Sequence, residues 1–256
     1  MYSKFRVNTS EGYSRCYYDT GKTWLETHKT KIKRQLDQFI DYDTGIIDGG
    51  ALEKELFKEI NADIFLSHSH SDEKLAISFA GWLKSNFNLT AFVDSCVWEY
   101  ANDILSEIND RYNHIKTEPN GAKTYNHGKA NYAASHIYLM LNSALNNMIN
   151  KTECFMFINT NNSCIYMDKD KADAKTLSPW IYSEVVMANT MKKTEPDRFN
   201  TFPELRHNIF ESVQMTHDLD FSTFISLSPT DLSNWKYQKK ENIHPLDTLY
   251  AIKSEG

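Results

Sequence analysis

Three short apolar runs, Ala62–Ser67, Thr90–Asp94 and Cys154–Ile158, restrict this chain more than any other feature. Each is five or six residues long and bounded by polar residues. Continuous apolarity over that length is the mark of a strand buried on both faces. Between the first two runs, Leu75, Phe79, Trp82 and Leu83 recur at helical spacing. They predict an amphipathic helix over 72–86, with Ser71-Asp72-Glu73 supplying helix-starting chemistry. Ile104, Leu105 and Ile108 predict a second helix over 102–112. Two more are expected over 133–150 and 179–191. Strands alternating with helices imply an α/β fold, a parallel sheet with helices on both faces. Ligands of such sheets sit beyond the carboxyl ends of the strands. The segments to watch are therefore 67–71, 94–101 (read as a loop) and 159–180.

The flanks read differently. Leu25, Ile32, Leu36, Phe39 and Ile40 suggest a helix over 24–42, and Leu52, Leu56, Phe57 and Ile60 another over 51–60. Asp43-Thr44-Gly45 and Gly49-Gly50 break the pattern between them. Residues 1–60 are thus expected to be an N-terminal helical extension before a main domain at 61–250. The stretch 113–130 is rich in Lys, Asn, Gly and His and opens an insertion of about 113–150. Beyond 192 the signal fades: 212–219 alternates weakly, 224–227 suits a strand and 230–235 a short helix.

Composition narrows the partners. A net charge of −6 and the lack of a basic stripe argue against nucleic acid. No apolar run approaches a membrane span and no secretory leader opens the chain, so no membrane partner and a cytoplasmic protein are expected. Cys16, Cys96, Cys154 and Cys164 form no CxxC pair, in keeping with a reducing compartment.

The residues that can carry chemistry cluster near the expected strand ends. Ser178 suits an N-cap and Pro179 the first helical position. Trp180, Glu184 and Met187 then share one face, beside a core stripe of Ile181, Val185 and Ala188. That places Glu184 on the border between core and cleft. A helix glutamate is ordinarily a solvated acid; next to an indole over a strand end it can also stabilise a cation. Ser67-His68-Ser69-His70-Ser71-Asp72 leads into a helix N-terminus, which suits either plain capping or an anion. His68 and His70 lack a third ligand at a convincing spacing, so no metal is expected. Asp94 at a strand end is a candidate hydroxyl partner, and Trp98 and Tyr100 suit loop packing or stacking on a base.

Taken together, these residues resemble the Toll/interleukin-1 receptor (TIR) domain family, specifically its bacterial members. Asp63-Ile64-Phe65-Leu66-Ser67-His68-Ser69 is similar to the family's first box, and Asp72 to an acidic residue just after it. Trp180-Ile181-Tyr182-Ser183-Glu184 resembles its Trp-x-x-x-Glu element. The likeness spans about 61–191. It implies a flavodoxin-like fold, NAD as the substrate, Glu184 as the catalytic carboxylate, and a cleft built from Ser67, His68, Asp94, Trp98 and Trp180. It also implies self-association through TIR–TIR contacts. The segment 94–101 departs from the family by lacking the Pro-Gly loop, and the 113–150 insertion, with Tyr132 and His136, lies outside the pattern. Residues 1–60 do not resemble the effector domains often fused to this family, so the chain is expected to work with a separately encoded effector, an architecture that resembles the signal-making component of Thoeris-type anti-phage defence. The implied activity is cleavage of the nicotinamide–ribose bond, giving ADP-ribose, a cyclic isomer acting as a signal, or a base-exchange product. A non-catalytic TIR scaffold and a deoxyribosyl transferase are the competing expectations.

Overall fold

The three apolar runs are strands because their side chains have no wet face to occupy, and they are joined in the sheet by two strands drawn from elsewhere in the chain. The computed structural model describes residues 1–9, 17–28, 36–41, 47–56, 60–166, 174–201, 221–240 and 243–254. In chain order the first elements are β1 (Ser3–Asn8), α1 (Tyr18–His28), α2 (Gly49–Leu56), β2 (Ile64–Ser67), α3 (Glu73–Phe87) and β3 (Ala91–Val93). Next come α4 (Ser95–Ile108), β4 (His114–Thr117), β5 (Lys123–Tyr125), α5 (His127–Lys151) and β6 (Cys154–Asn159). The chain continues through β7 (Ile165–Tyr166), β8 (Ala174–Lys175), α6 (Pro179–Thr190), α7 (Arg198–Thr201), β9 (Ile225–Leu227), α8 (Pro229–Tyr237) and α9 (Pro245–Ser254). Two compact bodies result. One holds Met1–His28, Ile60–Asp94 and Met148–Gly256; the other holds Lys29–Glu59 and Ser95–Asn147.

The first body is built on a five-stranded sheet of order β3-β2-β6-β1-β9 in which every pairing is parallel. A parallel five-stranded sheet with helices is compatible with a flavodoxin-like fold, although β1, the first strand in the chain, stands fourth in the sheet, between β6 and β9. All residues of β2 and of the edge strand β3 are buried, so both faces of the sheet are covered there. Aromatic side chains fill the interior: Phe65 stacks on Phe155 across β2 and β6 at 5.5 Å. Phe79, Trp82 and Phe87 of α3 pack with Trp235 of α8. From β2 the chain moves out to β3, yet β6 lies on the other side of β2. The strand order therefore reverses between β2 and β6, and a crevice at that reversal is where sheets of this kind hold ligands.

Three expectations need correcting. Residues 1–60 are not a helical extension: β1 lies inside the sheet, with Phe5 paired to Met156 on one side and Ile225 on the other. Its alternate residues are buried, as a strand with one face on the core requires. Among the described residues, the helix expected over 24–42 is met by α1, which starts at Tyr18 and runs to His28, and by a 3-10 turn at Leu36–Phe39 that gives way to an isolated bridge at Ile40; residues 29–35 lie outside the described ones. Nor is 94–101 a loop, because α4 begins at Ser95. Ala101, Ile104 and Ile108 recur at helical spacing and are buried, which favours a helix over that whole stretch. The weak alternation at 212–219 lies outside the described residues, and the strand expected over 224–227 is β9.

Helices α1 and α3 meet backbone to backbone. A Cβ on Gly21 would collide with the Ile77 carbonyl, and one on Gly81 with the Tyr17 carbonyl. Neither clash is with a side-chain end that can swing aside. Gly81→Ala is expected to cost about 2 kcal/mol or more through overpacking, which urea titration against wild type measures; an unchanged midpoint would mean the helices separate freely.

In the second body, α2 and α4 are followed by a five-residue π-helical turn at Asn109–Asn113 and by the exposed hairpin β4–β5. The hairpin is tied to that turn by Asp110, which accepts from Lys123 Nζ at 2.6 Å and from Tyr125 OH at 2.5 Å. The turn residues and the first half of α5 also border a cavity of about 680 Å³, floored by Leu52, Ile108 and Ile137. Tyr132 and His136 line it. No described helix is long and apolar enough to cross a membrane.

Candidate functional site

Ser67 is the last residue of β2 and His68 follows it; Asp94 directly follows β3; Glu184 stands in the second turn of α6. Each is carried by the carboxyl end of a strand or by the helix entered from β6, so the sheet topology brings them together. The local sequence sets α6 as expected. The Ser178 hydroxyl accepts from the Ile181 amide at 3.3 Å, and Pro179 takes the first turn. Ile181, Val185 and Ala188 are buried, which fixes the rotation of the helix.

That rotation carries Glu184 further inward than the sequence suggests. It does not border a cleft: it is fully buried, at 0 % exposure. The Ser67 hydroxyl donates to Glu184 Oε2 at 2.6 Å. His68 Nδ1 lies 2.7 Å from Asp94 Oδ1, a charge contact between two nearly inaccessible side chains. Exposures of 0, 4 and 5 % for Ser67, His68 and Asp94 make the cluster closed to solvent. Glu184 Oε1 and His68 Nε2 are buried with no hydrogen-bond partner among the described residues. Leaving such atoms unsatisfied ordinarily costs about 1–3 kcal/mol each, a cost that a ligand with matching groups would remove.

The electrostatics follow from the burial. Loss of water raises the proton affinity of Glu184 well above that of an ordinary glutamate, and the nearby charge of Asp94 adds to it; the Ser67 hydrogen bond opposes both. Burial alone would strip the proton from His68. The charge of Asp94 and contact with it, the Leu66 carbonyl and Glu73 outweigh that, and His68 binds its proton more tightly than a free histidine. Burial thus favours the neutral acid at Glu184, and Asp94 favours the protonated form of His68.

The other expected residues fall elsewhere. Trp180 lies one turn before Glu184 and is half-buried. The Trp98 backbone lies in the first turns of α4, while its side chain, like those of Cys96 and Tyr100, is outside the described residues. His70 is exposed whereas His68 is buried. Asp72 does not cap α3 with its side chain. It accepts instead from Thr160 Oγ1 and from Asn162 Nδ2, at 2.7 Å for the latter. It therefore ties the turn after β2 to the turn after β6, and Ser163 closes that second turn by donating to the Ile158 carbonyl at 2.9 Å. These polar turns were part of a watched segment, but nothing in their spacing singles out Thr160 or Asn162.

One further polar cluster lies in the first body. Glu153, His244 and Asp247 bring ligand-type atoms within 4.8 Å of one another. Arg198 already fills that space, however. Its guanidinium donates to Glu153 Oε1 and Oε2 at 2.6 Å each and to both Asp247 oxygens. Tyr250 adds a hydroxyl to Glu153 at 2.8 Å. With both carboxylates taken up by a cation, the cluster is an ion-pair clamp rather than a metal centre.

No protein-family model matches the chain, and no curated protein or solved structure matches it at a significant level.

Proposed function

We propose that this chain is an NAD-consuming enzyme of the TIR type that breaks the bond between nicotinamide and ribose. One observation carries the reading: Glu184, a turn beyond Trp180 on a capped helix, is buried against Ser67 beside Asp94 and His68 at the carboxyl ends of the strands. A buried carboxyl with an unpartnered oxygen suits a substrate that brings both a positive charge and hydroxyl donors.

The chemistry asks little else. As the C1′–N bond breaks, its electron pair moves onto the pyridinium nitrogen, so nicotinamide leaves neutral without a general acid. The ribose is left oxocarbenium-like, as in glycoside hydrolysis. The Glu184 carboxylate stabilises that cation in a site without water, where a fixed charge acts strongly. Water adding at C1′ and losing a proton gives ADP-ribose; attack from within the same molecule gives a cyclic isomer. Glu184 must lose its resting proton first. A cationic ring entering beside it favours the ionised form, which makes charge development depend on the substrate. By the resemblance to the family, the product would act as a signal in antiviral defence, sensed by a separately encoded effector, and activity would depend on self-association.

The complete burial of Glu184 also favours a second reading, a non-catalytic scaffold in which the carboxyl only braces β2 against α6. Incubating concentrated protein with NAD, beside Glu184→Gln, and resolving products by liquid chromatography with mass detection separates the two. Nicotinamide released only by the wild type is the expected result, and the co-product mass distinguishes hydrolysis from cyclisation. No release, in buffer or in lysate of phage-infected cells, would leave the scaffold.

A further inference from the structure

Asp94 is the member of the cluster that faces both ways. Its carboxylate lies 2.7 Å from His68 Nδ1, and its charge acts on Glu184. We propose that His68 is a positioning residue for the cleavage reaction, acting through Asp94 to decide when Glu184 carries its charge. This rests on the reading of Glu184 as the reacting carboxylate.

The argument is one of charge within a sealed space. Among the described residues, the groups that face His68 are Asp94, beyond β3, and Glu73, in the first turn of α3. Those that face Glu184 are Asp94 and the Ser67 hydroxyl. Asp72, the other buried acid of the turn after β2, is taken up by Thr160 and Asn162. With His68 protonated, the charge of Asp94 is compensated, and ionising Glu184 adds one net negative charge to the site. With His68 uncharged, the same step leaves two uncompensated carboxylates out of water. Like charges held together in that way do not both ionise readily. His68 thereby lowers the energy of the ionised Glu184 without touching the substrate. Its placement also explains why a histidine with one ring nitrogen on a carboxylate lies entirely inside the protein.

The geometry makes two opposed demands. His68→Gln keeps a polar side chain next to Asp94 but removes the cation, so the acid limb of the pH profile for NAD cleavage should move up by about one unit or more, a tenfold loss at a fixed pH on the limb. Asp94→Asn removes the like charge beside Glu184, so the limb should move down. A merely structural role would lower the plateau or the melting temperature and move neither limb. Glu184 is also read directly, by carboxyl ¹³C NMR of glutamate-labelled protein, its resonance assigned by loss in Glu184→Gln. Opposed displacements in both readouts are expected. Displacement in the same direction, or none, in folded variants overturns the proposal, and the Asp94→Asn arm decides alone if His68→Gln does not fold. Opposed NMR displacements in a protein that releases no nicotinamide would uphold the coupling of the three groups and sink the enzymatic reading.

Discussion

Glu184→Gln is expected to abolish nicotinamide release while making the protein more stable, by an amount that grows with pH. The loss of activity follows from removing the charge proposed to stand against the developing cation. Deleting one such interaction commonly lowers turnover about 10²–10³-fold, and the amide cannot ionise to restore it. The gain in stability follows from the sign of the proton linkage. Below the ordinary glutamate range both folded and unfolded chains hold the proton. Above it the unfolded chain releases the proton, while the buried Glu184 keeps it. The folded state then binds more protons, and stability falls with rising pH by up to about 1.4 kcal/mol per unit, until the native carboxyl ionises too. Glutamine has the same shape, can still accept from Ser67, and carries no such penalty. Urea titrations of both proteins at several pH values between 5 and 8 measure the difference. Parallel stability curves would show that Glu184 is not held neutral in the fold. A residue whose removal stabilises the protein and stops its reaction is what strain kept at a working site produces.

The second large effect falls on the fold. Arg198→Met should destabilise the protein by about 3 kcal/mol, the lower end for losing one partner of a buried ion pair, because the guanidinium is partly accessible. The cause is less the lost attraction than what remains: a buried Asp247 and a partly buried Glu153 facing each other without a cation. At this chain length that corresponds to a melting temperature lower by roughly 6–12 °C. Arg198→Lys should recover only part, since an ammonium cannot bind two carboxylates in the fork geometry. Adding Glu153→Gln and Asp247→Asn to Arg198→Met should restore some of the loss by removing the stranded charges. If the triple variant melted below Arg198→Met, the penalty would lie in lost packing instead.

How much of this was legible differs by element. The strands β2, β3 and β6 and the helices α3 and α6 announce themselves, because continuous apolarity and helical spacing each leave a clear pattern over that length. β1 was missed although it carries a signal. Phe5 and Val7 alternate with Lys4, Arg6 and Asn8, the period of a strand wet on one side. Two charges in six residues read as surface. The start of α4 was missed because Asp94-Ser95 reads as a turn, which hid the period running on through Ala101. At the site, Glu184 and Ser67 were legible from position alone. The pairing of His68 with Asp94 was not, since spacing along a chain does not say where two loops turn their side chains. The Arg198 clamp draws on residues 153, 198 and 247, which share no period and no motif.

The place of β1 has a consequence for how the protein is made. Phe5 is made long before its two partners, Met156 and Ile225. Until β6 is made, β1 is a strand with both edges open, the kind of segment that pairs with whatever passes. The loops that must close to seat it are long, and their entropy is met only when the final strand arrives. Vectorial growth therefore cannot assemble this sheet outward from its start. β2 can pair with β3 early, while β1 waits for β6 on one side and, later still, for β9 on the other.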